Sequence, residues 1–390
     1  MKILQNLFIV CFILVANIIS AQDKSNISHS IDSKIFDKER EVKVFLPETY
    51  HRDSISKYPV VYVLDAQSES FWGILTGNAG YMVDNYSVMP MIFVGIVSDN
   101  RGPEFNPKNA ELHNHFKKEV FPLIESNYRT EGFRAVLGHS WGGAFVGNTL
   151  FSDKRDMFDA YIGISPSFGD TDDNIIVKNA DTLLQKNTEF GKYLYFSHGD
   201  VGRREVEFER NVNNIDVLVK KYPNNTLSWQ PRLIKGVGHW QIVGPSICDG
   251  LLSMSRNYFA DQKVIQDFAK SSKGNLKEKI EDFYKTRKAI FGYSYEASAG
   301  YLNFVANDFR DLNDYETALE VYNLALNKKP NSVRVYVNMC DVYDKMGDKK
   351  VAKTFILKTQ KLLEEQKDDV SDNYYKNISK WIKEKLESYN

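Results

Sequence analysis

Cysteine is scarce: the 390 residues hold three, Cys11, Cys248 and Cys340. None has a histidine or second cysteine beside it at zinc-ligand spacing, so no metal site is visible and no disulfide framework is expected. An excess of charge of either sign is also missing. Lys and Arg total 50 against 51 Asp and Glu, a net charge of -1 with no long basic run, so no polyanion such as a nucleic acid is expected as a partner. Nor is there an apolar run of the roughly 20 residues that a membrane-spanning helix needs. The longest, Leu7 to Ala16, is too short.

That short run has its own meaning. Lys2 precedes it and the small residues Ser20 and Ala21 follow, the three-part layout of a secretory signal peptide over 1–21. Export to the periplasm or the exterior is therefore expected. Ile19 is an imperfect residue three places before a cut after Ala21, so an uncleaved N-terminal anchor is the one route to a membrane.

After a polar leader, Gln22 to Ser33, short apolar runs begin. Glu41 to Leu46 alternates like a half-exposed strand. Pro59 to Leu64 and Met91 to Val97 are continuous apolar runs, as in strands buried on both faces of a parallel sheet. Phe133 to Leu137, Ala160 to Ile164, Lys192 to Ser197 and Trp229 to Ile234 complete the series. Helical spacing separates them, as in Asn114 to Tyr128, and a last helix is expected over Pro245 to Phe259. Alternating strands and helices imply a mostly parallel sheet covered on both faces, over 22–262.

Beyond it strands give way to Lys-, Glu-, Leu- and Tyr-rich helix. After a helical linker, 263–294, the segment 295–390 carries a repeat of about 34 residues, the tetratricopeptide period. Ala318, Tyr322, Ala325 and Pro330 fill the second helix and exit of one unit. Ala352 falls against Ala318, Tyr336 against Leu302 and Tyr343 against Phe309.

The chemistry concentrates in Gly138-His139-Ser140-Trp141-Gly142. This G-x-S-x-G follows an expected strand and opens a helical run, Ala144 to Leu150, the setting of a nucleophile elbow. A serine needs a base to take its proton during attack. Only His198 and His239 follow Ser140, and His239, after the last strand, fits the order nucleophile, acid, histidine. Capping of the final helix is its structural alternative. The acid should follow the strand Lys192 to Ser197. Asp200 comes first, Glu205 and Glu207 lie further on, and a dyad without an acid stays open. The oxyanion donors are expected to be the backbone N–H groups of Trp141 and of Gln67, in Asp65-Ala66-Gln67. His113 and His115, two apart on a helix, read as solvated surface rather than a metal pair. Arg101 and Glu104 read as a loop ion pair, with substrate contact as the alternative.

With these residues placed, residues 35–259 resemble the putative esterase family of α/β-hydrolases, which includes enterochelin esterases and S-formylglutathione hydrolase. The resemblance rests on Leu46-Pro47-Glu48, Val61 to Asp65, Glu119 to Glu125 with Tyr128-Arg129-Thr130, the elbow, Ile164-Ser165-Pro166-Ser167 and Gly238-His239. It implies an α/β-hydrolase fold and cleavage of a small-molecule carboxylic ester through a serine acyl-enzyme, without metal or organic cofactor. Ser140 and His239 match its nucleophile and base. Ala66, where the family often has Gly, and a poorly matching acid segment are departures. The C-terminal helices resemble tetratricopeptide repeats, which implies a protein-binding surface or one docked within the chain. A non-enzymatic binding platform, or acyl transfer to an alcohol, are the alternatives to hydrolysis.

Overall fold

The computed structural model describes residues 26–52, 57–85, 87–169, 174–186, 190–223, 226–255 and 298–389, together with Glu278, Lys279, Asp282 and Lys285. The expected signal segment lies outside these residues, as does the linker apart from those four. Contacts divide the chain into two compact units, the first running to Tyr258 and the second containing Ser294–Asn390.

The first unit is built on eight strands, β1 (Asn26–Ser33), β2 (Lys38–Phe45), β3 (Tyr58–Val63), β4 (Ile92–Ile96), β5 (Thr130–His139), β6 (Ala160–Ile164), β7 (Tyr193–His198) and β8 (Ser228–Leu233). Their order is β1-β2-β4-β3-β5-β6-β7-β8. The first two pairings, β1 with β2 and β2 with β4, are antiparallel, and all others are parallel. Every residue of β3, β4, β6 and β7 is buried, which is why these strands read as unbroken apolar runs.

The longer helices are α1 (Glu69–Asp84), α2 (Trp141–Leu150), α3 (Ile175–Lys186), α4 (Arg203–Lys221) and α5 (Val243–Ser255). One sheet face packs Tyr62, Val94, Val136 and Phe196 against Phe145 of α2, Ile176 of α3 and Val212 of α4. On the other face α5 packs on α1, β6 and β7. There Gly250 passes so close that a Cβ would lie 3.1 Å from Ile162.

Three expectations change. The sheet begins inside the polar leader and not after it, because Asn26–Ser33 forms edge strand β1. Its inward side carries Ile27, His29 and Ile31 only half-buried, so the polar residues between them mask the alternation. The helix expected from Asn114 to Tyr128 is interrupted by a π-helical turn, Phe116–Val120, between Glu111–His115 and Phe121–Asn127. His113 and His115 are not surface residues. His113 bonds Thr149 Oγ1 at 2.8 Å and stacks on Phe145, and His115 Nδ1 meets Glu119 at 2.5 Å.

The second unit contains α6 (Ala299–Asp311), α7 (Tyr315–Lys328), α8 (Val333–Lys345), α9 (Lys349–Glu365) and α10 (Asp372–Ser388). Packing pairs α6 with α7 and α8 with α9. Ala318, Tyr322, Ala325 and Ala352 are fully buried, the small-with-aromatic packing that lets repeat helices approach closely. Among the described residues, no helix is long and apolar enough to cross a membrane.

Candidate active site

Every candidate residue lies at the carboxyl end of a strand, where open α/β sheets bind ligands. Ser140 sits between β5 and α2 with φ 59° and ψ -114°, a conformation L-residues avoid. Its main chain is pinned, with Ser140 N–H donating to Ile164 O at 2.9 Å and Ser140 O accepting from Ser167 and Ala144 N–H. The flanking glycines make this possible. A Cβ on Gly138 would fall 2.4 Å from the carbonyl of Gly142, and one on Gly143 would lie 3.0 Å from Pro166 Cα.

The loop after β8 carries His239, whose ring is buried and stacked on Phe208 with centroids 4.8 Å apart. It is tethered to the elbow, since His139, the residue before the serine, meets His239 O through Nε2 at 2.9 Å. Burial, with the neighbouring His239 and Arg101 adding, pushes His139 down to about 3.

The carboxylate facing His239 is Glu205, with Oε1 3.5 Å from Nδ1. That nitrogen makes no hydrogen bond among the described residues, so the two groups stand just beyond bonding range. Glu205 is 2% exposed and lies in the first turn of α4. It accepts from Gly199 N–H at 2.5 Å and from Ser165 Oγ at 3.2 Å. Asp200, the first choice by chain order, goes elsewhere. Its exposed carboxylate accepts from Gly236 N–H at 2.7 Å, and Asp200 N–H donates to Val237 O at 3.2 Å. Asp200 thus ties the acid loop to the histidine loop. His198 is also buried and bonds Gly199 O at 2.9 Å, so it turns away from the base position.

Around the expected oxyanion site, Ala66 N–H is taken by Ile96 O at 3.1 Å. Among the described residues, Gln67 N–H donates to no main-chain carbonyl, and Trp141 opens α2, where first-turn N–H groups lack helical partners. Asp65 before them has φ 66°. The ion pair read between Arg101 and Glu104 does not form. Arg101 instead grips Asp65 through two bonds of 2.8 Å. Glu104 takes two 2.8 Å bonds from the buried Arg40. Glu205 was visible in the sequence as an alternative acid and Arg101 as a loop residue with another partner, but the struts formed by His139 and Ser165 carried no local signal.

The sequence model described as "Putative esterase" matches residues 33–236, more than half of the chain, and a TPR repeat model matches 306–347. None of the curated proteins compared with the chain matches it. Among solved structures, an IroE-like serine hydrolase from Shewanella oneidensis is similar at 19% identity with a TM-score of 0.63, covering 77% of this chain and 99% of its own. An uncharacterised protein from Capnocytophaga ochracea aligns at 15% identity and TM-score 0.61, covering 86% of this chain and 93% of its own. The siderophore hydrolase EstB from Aspergillus nidulans aligns at 16% identity and TM-score 0.53, covering 60% of this chain and 96% of its own. At these identities the likeness is one of fold.

Proposed function

The chain belongs to the Putative esterase family, and from that premise we propose that it hydrolyses a small-molecule carboxylic ester through an acyl-enzyme on Ser140. The observation that carries this reading is the strained serine at φ 59° between β5 and α2, with the His239 loop bonded to the adjacent residue.

Ser140 Oγ attacks the ester carbonyl carbon while His239 Nε2 takes the hydroxyl proton. The carbonyl oxygen becomes an oxyanion held by the N–H groups of Gln67 and Trp141. Collapse breaks the carbon–oxygen bond to the alcohol, which leaves with the proton from His239, and the acyl group stays on Ser140. A water then repeats the sequence. His239 takes its proton, its oxygen bonds the acyl carbon, and Ser140 departs with the proton as the carboxylic acid is released.

In this scheme Glu205 orients His239 and balances its charge when protonated. Its 3.5 Å separation from Nδ1 supports that role, because such contacts often tighten only when substrate is bound. The signal-peptide layout over 1–21 supports action outside the cytoplasm, which N-terminal sequencing of exported protein would test.

The experiment is labelling of purified protein by a fluorophosphonate, comparing wild type with Ser140→Ala and His239→Ala. Labelling of wild type alone is expected. A folded wild type that takes no label would overturn the reading.

A further inference from the structure

We propose that Arg101 is a positioning residue that holds both oxyanion donors of the Ser140 site in register; this rests on the esterase reading above. The two donors belong to separate segments, Gln67 to the loop after β3 and Trp141 to the turn after β5. Nothing in either segment alone fixes the distance between them. Arg101, on the short helix Arg101–Glu104 after β4, touches both.

Toward the first donor, Arg101 Nε and Nη2 bond the two carboxylate oxygens of Asp65, each at 2.8 Å. Asp65 is held at φ 66°, a left-handed conformation in which it turns the chain toward Gln67. The same carboxylate accepts from Gln67 Nε2 at 3.0 Å, while Gln67 Oε1 accepts from Ser98 N–H at 3.0 Å. Toward the second donor, Arg101 Nη2 also bonds His139 O at 3.2 Å, two residues before Trp141. The guanidinium carbon lies 5.5 Å from the Trp141 ring centre. Asp65 further leans on the elbow, since a Cβ on Gly142 would sit 3.4 Å from Asp65 Oδ2.

One planar cation therefore bridges a carboxylate, a carbonyl and an indole drawn from the two halves of the site. A lysine cannot do this. Its ammonium is a single point and does not offer the forked, coplanar donors that a carboxylate plus a carbonyl require. Oxyanion donors act only if they already stand where charge develops, and small misplacements are costly in rate. Loss of Arg101 should therefore weaken the transition state and leave ground-state binding alone.

The test uses the full-length protein and its Arg101→Lys, Arg101→Ala and Asp65→Asn variants. Three quantities are read: the fluorophosphonate labelling rate, kcat and KM on p-nitrophenyl acetate, and the affinity of a boronic acid that forms a tetrahedral adduct on serine. Arg101→Lys should lower kcat and the labelling rate by about tenfold to a hundredfold, with KM within about twofold. Boronate affinity should fall in proportion to kcat/KM across the series, and added guanidinium should restore part of the activity of Arg101→Ala only. A bystander that merely supports the fold would lower melting temperature without that proportionality. Unchanged kcat in Arg101→Lys, or a loss confined to KM, overturns the proposal while wild-type labelling keeps the esterase reading. Wild type that neither labels nor hydrolyses overturns both.

Discussion

The imidazole rings of His139 and His239 lie 4.5 Å apart, and Nε2 of the first bonds the main-chain carbonyl of the second at 2.9 Å. A carbonyl only accepts, so the proton of His139 resides on Nε2, an assignment made by the network rather than by seeing hydrogen. Because burial pushes His139 down to about 3, this ring stays neutral at physiological pH. Two imidazolium charges so close would oppose each other. A neutral His139 adds no charge beside His239 and ties the His239 loop to the turn that carries Ser140.

The buried histidines make stability depend on pH. His113 is pushed down to about 4 by burial and by Lys154, and His139 to about 3, against roughly 6.5 for an unfolded histidine. Between those values the unfolded chain binds more protons than the native one, so stability falls as pH drops. The melting temperature should be highest above about pH 6.5 and decline toward pH 4. His113→Leu should flatten that decline, since Thr149 Oγ1 keeps Phe145 O as a partner at 2.7 Å. An unchanged slope in scanning calorimetry would contradict the assignment.

Glu205 and Asp200 can be told apart directly. Glu205→Gln should lower kcat by about a hundredfold to ten-thousandfold, since it removes the charge opposite His239. Asp200→Asn should change kcat by no more than about twofold, because among the described residues its exposed carboxylate accepts only the Gly236 N–H, a bond an amide oxygen can keep. The reverse ranking in ester-hydrolysis kinetics would return the acid role to Asp200.

Two glycines should respond in opposite directions. Gly138→Ala would place a methyl 2.4 Å from the Gly142 carbonyl and is expected to abolish soluble, active protein. Gly77, exposed on α1, has nothing within 4 Å of the same position. Gly77→Ala should raise stability by about 0.5–1 kcal/mol through helix propensity. Chemical denaturation of both variants checks the pair.

The Arg40–Glu104 pair is a further stability element. Burial pushes the Glu104 carboxyl up, yet Arg40, with Ser98 and the Asn100 N–H, holds it below the usual range. Its contribution is complete above the ordinary carboxylate range and is lost as pH falls through the lowered value. Glu104→Gln should cost about 1–3 kcal/mol at neutral pH, because Arg40 would lose its two-bond partner and keep only the half-exposed Asp99, 3.7 Å from Nη1, as counter-ion. Urea unfolding that shows a loss under about 1 kcal/mol would contradict this.

Much of the sheet was legible because β3, β4, β6 and β7 are buried on both faces and leave continuous apolar runs such as Val60-Val61-Tyr62-Val63. β1 was illegible for the opposite reason. It is an edge strand, and Ser28, Ser30 and Asp32 alternate with side chains that are only half-buried. The strand-to-helix turn at Ser140 was legible because small residues, Gly138 and Gly142, flank one serine within five positions, and the turn is there with φ 59°. Chain order put Asp200 ahead of Glu205, and chain order carries no geometry. Asp200 and Glu205 are five residues apart, and only the turn at Gly202, with φ 95°, decides which one points inward. His113 misled for a similar reason, since helix spacing does not reveal that Phe145 and Thr149 cover its ring.

Asp65, Ser140 and Ser165 follow three neighbouring strands, β3, β5 and β6, and all have positive φ, at 66°, 59° and 42°. Each such residue costs on the order of 1–3 kcal/mol, so this rim is less durable than the same sheet would be with relaxed turns. Thermal hardening by substitution will find its easiest gains there, and each gain would disarm the protein. Variants selected for heat resistance alone should therefore accumulate glycine first at Ser140, because the side chains of Asp65 and Ser165 also hold Arg101, Gln67 and Glu205, unless activity is demanded in the same screen.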